Sequence, residues 1–294
     1  MKQFLGFISI TCILCVCLSS CQREFDIEDD PGTEPPVSTS SVFLDKLYYI
    51  DSIAGVKDTF RIVSYIYDAQ KRVVKIIDSS DVGPAGALAT EKTFEYNYNG
   101  SDSIPYKSLY QKYSWSSPTP AIDSQTTFHY YDASLNRIKD SISDYSSNGT
   151  GDWFVQQYVH NSNSIYTRQE LSPGVFDTVA ISWLDARGNI TLGELEPDGT
   201  FQYQFDANPS PFARLSNFRA LEMSVSIEST TDFYLIKNSN NITKNMDLMP
   251  SESYSNTWDL TGDYSYRTDG YPDRIRDEYD TNEFEIIAFR YKTL

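Results

Sequence analysis

One short pattern recurs along this chain and limits what it can fold into. An aromatic-x-aromatic stretch runs into Asp or Asn, a few polar residues follow, and an aliphatic pair resumes. Tyr65-Ile66-Tyr67-Asp68 leads to Val73-Val74, and His129-Tyr130-Tyr131-Asp132 leads to Arg137-Ile138. Trp183-Leu184-Asp185 leads through Gly188 to Ile190, and Tyr264-Ser265-Tyr266 leads through Asp269-Gly270 to Tyr271-Pro272. Phe94-Glu95-Tyr96-Asn97-Tyr98-Asn99-Gly100, Phe201-Gln202-Tyr203-Gln204-Phe205-Asp206 and Ile236-Lys237-Asn238 are further copies, and Tyr158-Val159-His160-Asn161 is a weaker one. The turn positions 68, 99, 132, 161, 185, 206, 237 and 267 lie 21 to 33 residues apart. A repeat of that length holds one β-hairpin.

The residue types suit that reading. Phe201, Tyr203 and Phe205 alternate with Gln202 and Gln204, the pattern of a half-buried strand. Asp at a turn start can accept a bond from its own backbone two residues on, and Gly188, Gly199 and Gly270 allow positive φ. The 22 tyrosines fit thin sheets, because the ring packs on the pleat while the hydroxyl stays wet. One stretch departs from the pattern: Phe212, Leu215, Phe218 and Leu221 recur every three residues after Asn208-Pro209, which predicts a short helix. The expected fold is all-β: an antiparallel meander of repeated hairpins forming one elongated or curled sheet, with one short helix.

The N-terminus predicts an address. Lys2, an apolar core from Phe4 to Leu18 and the small residues after it read as a secretory signal, and the core is too short for a stable membrane span. Leu18-Ser19-Ser20-Cys21 resembles a lipobox, which makes Cys21 the lipidation site. Residues 1–20 are then a lipoprotein signal peptide and 21–40 an acidic tether rich in Pro and Ser that prefers extended, hydrated conformations. Residues 41–294 are the folded domain. Gln22 stands where Asp would resemble an inner-membrane retention signal, which favours the outer membrane. The acidic run Glu24 to Asp30 resembles an export signal of surface lipoproteins and reads equally well as a solvated linker, so both the cell surface and the periplasmic face stay open.

All four cysteines (Cys12, Cys15, Cys17 and Cys21) lie in or at the end of that signal. The folded part therefore has no disulfide, thiolate metal site or cysteine nucleophile. It holds 35 acids against 22 bases, a surface that repels nucleic acid and anionic lipid. The expected partners are the membrane, through the lipid on Cys21, and a glycan or protein. No nucleic acid and no cofactor is expected.

Residues with reactive chemistry are few. His129 and His160 stand apart, outside any HExxH or Cys/His cluster, and each is expected to point out of a strand or start a turn. GxSxG, GxGxxG and P-loop motifs are missing. Asp273, Asp277, Glu278, Asp280, Glu283 and Glu285 gather near the C-terminus, where a pair could serve a glycosidase, although 41 acids make a chance pair common. Trp115, Trp153, Trp183 and Trp258 are the candidates for stacking on a ligand. A membrane-spanning barrel is disfavoured, because tyrosine runs through the strand centres rather than only at rims.

Phe205-Asp206-Ala207-Asn208-Pro209, Asn240-Asn241-Ile242-Thr243-Lys244 and Tyr266-Arg267-Thr268-Asp269-Gly270-Tyr271-Pro272 resemble YD-type repeats. The region 45–294 resembles more closely the uncharacterised lipoprotein domains of Bacteroidota that carry degenerate YD-like hairpins. That resemblance implies a hairpin-repeat fold and carries no catalytic or binding residues with it. The expected function is a non-enzymatic, envelope-anchored binding or interaction module, possibly for glycan. The alternatives are a glycan-active enzyme using a carboxylate pair and a half-barrel carrier of a lipid or apolar ligand.

Overall fold

A computed structural model describes residues 42–294 apart from 54–55, 82–87, 115–120, 146–150, 152, 196–198, 213–238, 249–254 and 281–282. These residues form seventeen strands. The first six are β1 (Val42–Ile53), β2 (Val56–Tyr67), β3 (Val73–Asp81), β4 (Leu88–Asn97), β5 (Lys107–Ser114) and β6 (Ala121–Tyr131). Next come β7 (Arg137–Tyr145), β8 (Trp153–His160), β9 (Ser164–Ser172), β10 (Val175–Leu184), β11 (Ile190–Leu195) and β12 (Gly199–Pro209). The last five are β13 (Asn240–Leu248), β14 (Ser255–Asp259), β15 (Tyr264–Tyr266), β16 (Pro272–Asp280) and β17 (Glu283–Thr293).

Every pairing is antiparallel, and consecutive strands pair from β1 through β14 and again from β15 through β17. β17 also pairs with β1 along their full length, from Val42 opposite Thr293 to Ile53 opposite Glu283. The lateral order therefore runs β15–β16–β17–β1–β2 and on to β14. Its two outermost strands, β14 and β15, are joined by only Leu260 to Asp263. The five steps from Asp259 to Tyr264 span at most about 18 Å, so the sheet has to curl until its two sides meet. Tyr264 Oη donates to Ile242 O on β13 at 2.7 Å, and the Leu260 amide donates to Thr243 O at 2.8 Å. The ladder itself does not close: among the described residues β14 pairs only with β13, and β15 only with β16. The antiparallel meander is thus as expected. The predicted helix falls on residues outside the described ones, except for the turn at Pro211–Phe212.

The inner face of the curl carries the core. Leu47, Val63, Tyr65, Ile76, Phe94, Ile275, Ile287 and Phe289 are buried together with Ile242 and Leu260, which joins both sides of the seam to one cluster. The outer face is polar at strand centres. Lys75 and Glu95 are cross-strand partners there, bonded at 2.8 Å, and Gln111, Gln157 and Arg168 face the same way. A Lys or Arg facing lipid at the midplane costs about 2–4 kcal/mol, so Lys75 and Arg168 would be costly positions in a lipid-facing band, although Ile66 and Val159 face the same way.

The end of the sheet where β2 meets β3 is built from one repeated turn. Asp68 Oδ1 accepts from the amides of Gln70 and Arg72, both at 2.9 Å, and the Asp68 amide donates to Arg72 O. Asp132 does the same with Ser134 and Asn136, and Asp185 with Arg187 and Asn189. Arg267 replaces the acid in a fourth copy, where its amide donates to Tyr271 O. The fourth residue of each copy adopts positive φ: Lys71 at 64°, Leu135 at 62°, Gly188 at 79° and Gly270 at 83°. Four tyrosines add side-chain bonds at this end of the sheet. Tyr67 Oη donates to Leu44 O at 2.6 Å, Tyr98 to Val73 O at 2.6 Å, Tyr131 to Pro105 O at 2.8 Å and Tyr291 to Pro272 O at 2.8 Å. Each hydroxyl caps a carbonyl near the start of the preceding strand, ahead of the ladder between that strand and the one that carries or leads into the tyrosine. Asp closes the turn, and Tyr fastens it sideways.

The turn makes a test possible. Gly188→Val should lower stability in urea unfolding by more than about 1 kcal/mol, because a β-branched side chain opposes positive φ. Leu135→Gly, at the equivalent position of the second turn, should not lower it, since it relieves a left-handed leucine.

Candidate functional site

The inner face of β5 to β8 carries a buried polar chain. His129 on β6 lies directly opposite Asp140 on β7. A register shift between Tyr130 and Tyr131 sets Arg137 opposite Tyr131, and the resulting bulge turns Arg137 to the same face as Asp140 although the two are three residues apart. His129 Nδ1 is 3.0 Å from Asp140 Oδ1, and His129 Nε2 is 3.0 Å from Ser108 Oγ on β5. Arg137 grips both Asp140 oxygens, through Nε at 2.7 Å and through Nη2, and Tyr158 Oη on β8 donates to Oδ2 at 2.7 Å. His160 on β8 bonds Arg137 O at 2.7 Å, so the second histidine holds the same bulge.

Charge settles the proton positions. Burial, then the nearby Arg137 charge, lowers the His129 pKa below its ordinary value, against the opposing pull of Asp140. Burial alone would raise the Asp140 carboxyl; Arg137 and His129 outweigh it and hold the group low. The imidazole is therefore neutral, with its proton on Nδ1 facing the carboxylate and Nε2 accepting from the Ser108 hydroxyl. Hydroxyl, imidazole and carboxylate follow one another in the order of an activated nucleophile. Ser108 is only 4% exposed and Asp140 0%. Asp140 also spends its lone pairs on Arg137 and Tyr158. As it stands, the chain of bonds ties four strands together and leaves the hydroxyl out of a substrate's reach. The expectation that both histidines stand apart is corrected here: register, not sequence spacing, gives each a partner.

The second constellation lies on the inner face of β16, β17, β1 and β2, toward their hairpin ends. Asp277 pairs with Glu285, Glu285 with Asp51, and Asp51 with Asp58. Four carboxylates thus stand in one cross-strand row. Paired side chains directly opposite sit about 4.5–5.5 Å apart at Cβ, and like charges there destabilise a sheet. The row shows that cost. Burial, then Asp51 and Asp277, pushes the Glu285 pKa up to about 7, with Arg61 opposing. Burial and Asp58 raise Asp51, and burial raises Asp277. Arg61 is the cation that acts on Glu285, and Asp78 holds it by two bonds of 2.8 Å. Among the described residues no three His, Cys, Asp or Glu side chains converge to hold a metal ion.

The residues singled out from sequence fare unevenly. Of the C-terminal acids, Asp277 and Glu285 meet in the row, while Asp273 lies near the other end of β16, 3.6 Å from Arg290. Trp153 is 67% exposed on the outer face of β8. Trp183 is half-buried on the outer face of β10, opposite Ser164 and Leu192. About eight residues of strand, roughly 26 Å, separate their levels, so the two do not form one platform. Trp258 lies on β14 opposite Asn245, three strands beyond β11. Trp115 and Cys21 lie outside the described residues.

No protein-family model matches the sequence, and no curated protein does. The fold is similar to solved structures. A porin-like protein from Bacteroides uniformis superposes with a TM-score of 0.36 and 11% identity, covering 85% of this chain and 98% of that one. A porin-like protein from Bacteroides vulgatus gives 0.38 and 11%, covering 86% and 100%. So loose a superposition transfers no role to this chain.

Two tests follow from the geometry. Asp140→Ala leaves Arg137 buried beside a gap and should destabilise the domain by about 3–5 kcal/mol in chemical denaturation. Glu285→Gln should do the opposite at alkaline pH. A carboxyl whose folded pKa is raised from 4.5 to about 7 favours the native state below pH 4.5, and that contribution is lost as pH rises through 7. The variant's gain should therefore be absent at pH 4, appear between 4.5 and 7, and level off above 7 at about 1–2 kcal/mol, reduced by the water that still reaches the group.

Proposed function

We propose that this chain is an outer-membrane lipoprotein, anchored through Cys21, whose curled sheet acts as a non-enzymatic binding module. The observation that carries the reading is the carboxylate row Asp277–Glu285–Asp51–Asp58. The fold bears like charges in direct register, which the charge of Arg61 opposes without outweighing, and a bound cationic partner would relieve more of that cost. The apolar part of the inner face is already packed by its own core, which weighs against the carrier reading. Trp153 and Trp183 lie too far apart to stack on one sugar, so the row is favoured as the contact over the tryptophans Trp115, Trp153, Trp183 and Trp258.

One observation favours an enzyme as the second reading. Glu285, with its pKa near neutrality beside the carboxylates of Asp51 and Asp277, has the pattern of a general acid paired with a base or nucleophile. The Ser108–His129–Asp140 chain is less suited to catalysis, because its hydroxyl is covered.

The domain, residues 41–294, should bind polycations in fluorescence anisotropy with affinity near micromolar, about −8 kcal/mol, and Asp51→Asn with Glu285→Gln should weaken that binding. Product analysis on a glycan panel should show no cleavage, and a fluorophosphonate probe should leave Ser108 unlabelled. Sugar release that disappears in Glu285→Gln would put the enzyme first. In cells, Cys21→Ala should abolish incorporation of a fatty-acid analogue; a labelled variant would remove the anchor.

A further inference from the structure

The seam of the sheet leaves two strand edges open. β14 is laddered to β13 from Leu248 opposite Ser255 to Lys244 opposite Asp259. β15 is laddered to β16 only at Tyr264–Ile275, Ser265–Arg274 and Tyr266–Pro272, and the last bond on that side is the Arg276 amide donating to Asp263 O at 3.1 Å. β16 continues to Asp280, and its other side pairs with β17 from Arg274 to Asp280 with one register shift after Glu278. Beyond Arg276, among the described residues, β16 has no strand on its seam side, and β14 has none on the side away from β13. β14 and β15 run in the same direction, so the jog at Leu260–Asp263 forms the floor of a notch. The notch opens toward the hairpin ends, between β14 and the part of β16 from Asp277 to Asp280.

Backbone polarity at that edge follows from the period of two. The Arg276 amide points into the seam, so the amide and carbonyl of Glu278 point the same way. Among the described residues no strand ladders with them. Exposed edges of this kind recruit extended chains, and charges on the edge decide which ones. Here the acid row starts on the edge strand itself. A strand laid antiparallel to β16 would bring an inner-face side chain beside Asp277, in line with Glu285, Asp51 and Asp58. An acidic or apolar neighbour would deepen the repulsion already felt by Glu285. A lysine or arginine would add its charge to that of Arg61 against the row. The excess of acids over bases in the domain would draw such a segment in.

We infer that the notch between β14 and β16 takes an extended, basic polypeptide segment of another protein, which adds as a strand to β16 and sets alternate Lys or Arg side chains against the Asp277–Glu285 row. This rests on the binding-module reading and names the partner's class.

The probe is a decapeptide alternating lysine and threonine, with two copies: one N-methylated at every second backbone nitrogen, and one with glutamate for lysine. Anisotropy on residues 41–294 should show the lysine peptide binding, at least tenfold weaker binding of the methylated copy, and none of the glutamate copy. Glu278→Pro, which removes the seam-facing amide and leaves the β17 ladder whole, should weaken the lysine peptide by a similar factor while urea unfolding changes little. If the proline variant does not fold, the methylated peptide decides on the intact protein. Equal binding of both lysine peptides would reduce the contact to charge alone and overturn strand addition, as would failure of the lysine peptide to bind. In the latter case, binding of a different polycation or a glycan would leave the module reading standing, and silence with every ligand would remove both.

Discussion

A single sheet has no second layer on which to bury its apolar face, and the described part of this structure depends on how that is resolved. The chain lays its last strand against its first. With β17 seated between β16 and β1, the lateral ends of the sheet become β14 and β15, which four residues hold together. The sheet then has to bend until Ile242 and Leu260 join Leu47, Val63 and Ile287 in one cluster. The core is the inside of the curve, and the curve exists because of that one long-range pairing.

Much of this was legible in the sequence, for local reasons. The Asp of each turn bonds backbone two and four residues ahead, so its partners are fixed by spacing. Gly188 and Gly270 announce a left-handed position, whereas Lys71 and Leu135 occupy the same position unannounced. The alternation from Phe201 to Phe205 set strand β12. What stayed hidden depends on register between distant segments. Nothing near residue 51 says that Glu285 will stand opposite it, and nothing near His129 says that Asp140 will. The bulge beside Tyr131 was equally invisible, yet it decides that Arg137 turns inward. For the same reason residue type alone did not say that Trp153 and Trp183 stand at different levels of the sheet.

The two polar constellations of the inner face illustrate opposite solutions to one problem. Around Asp140 the charge is answered many times over, by Arg137, His129 and Tyr158, and the result is rigid and closed. Around Glu285 burial and the like charges of Asp51 and Asp277 outweigh the opposing charge of Arg61, which Asp78 also holds. Burial treats an answered charge as structure and an incompletely answered one as stored free energy. The same sheet thus holds a group that has finished its chemistry and a group that has not.

The pairing of Val42 with Thr293 also has a consequence in time. Strands β2 to β13 pair with their sequence neighbours, so each hairpin can form as soon as its two arms exist. β1 has only half its partners until the final residues arrive, and closing the longest loop in the domain is the slowest kind of step. A chain delivered from its N-terminus would wait with a finished sheet and an open flank. Until β17 arrives, that flank is the place where a chaperone would have to stand guard and where a truncated product would begin to aggregate.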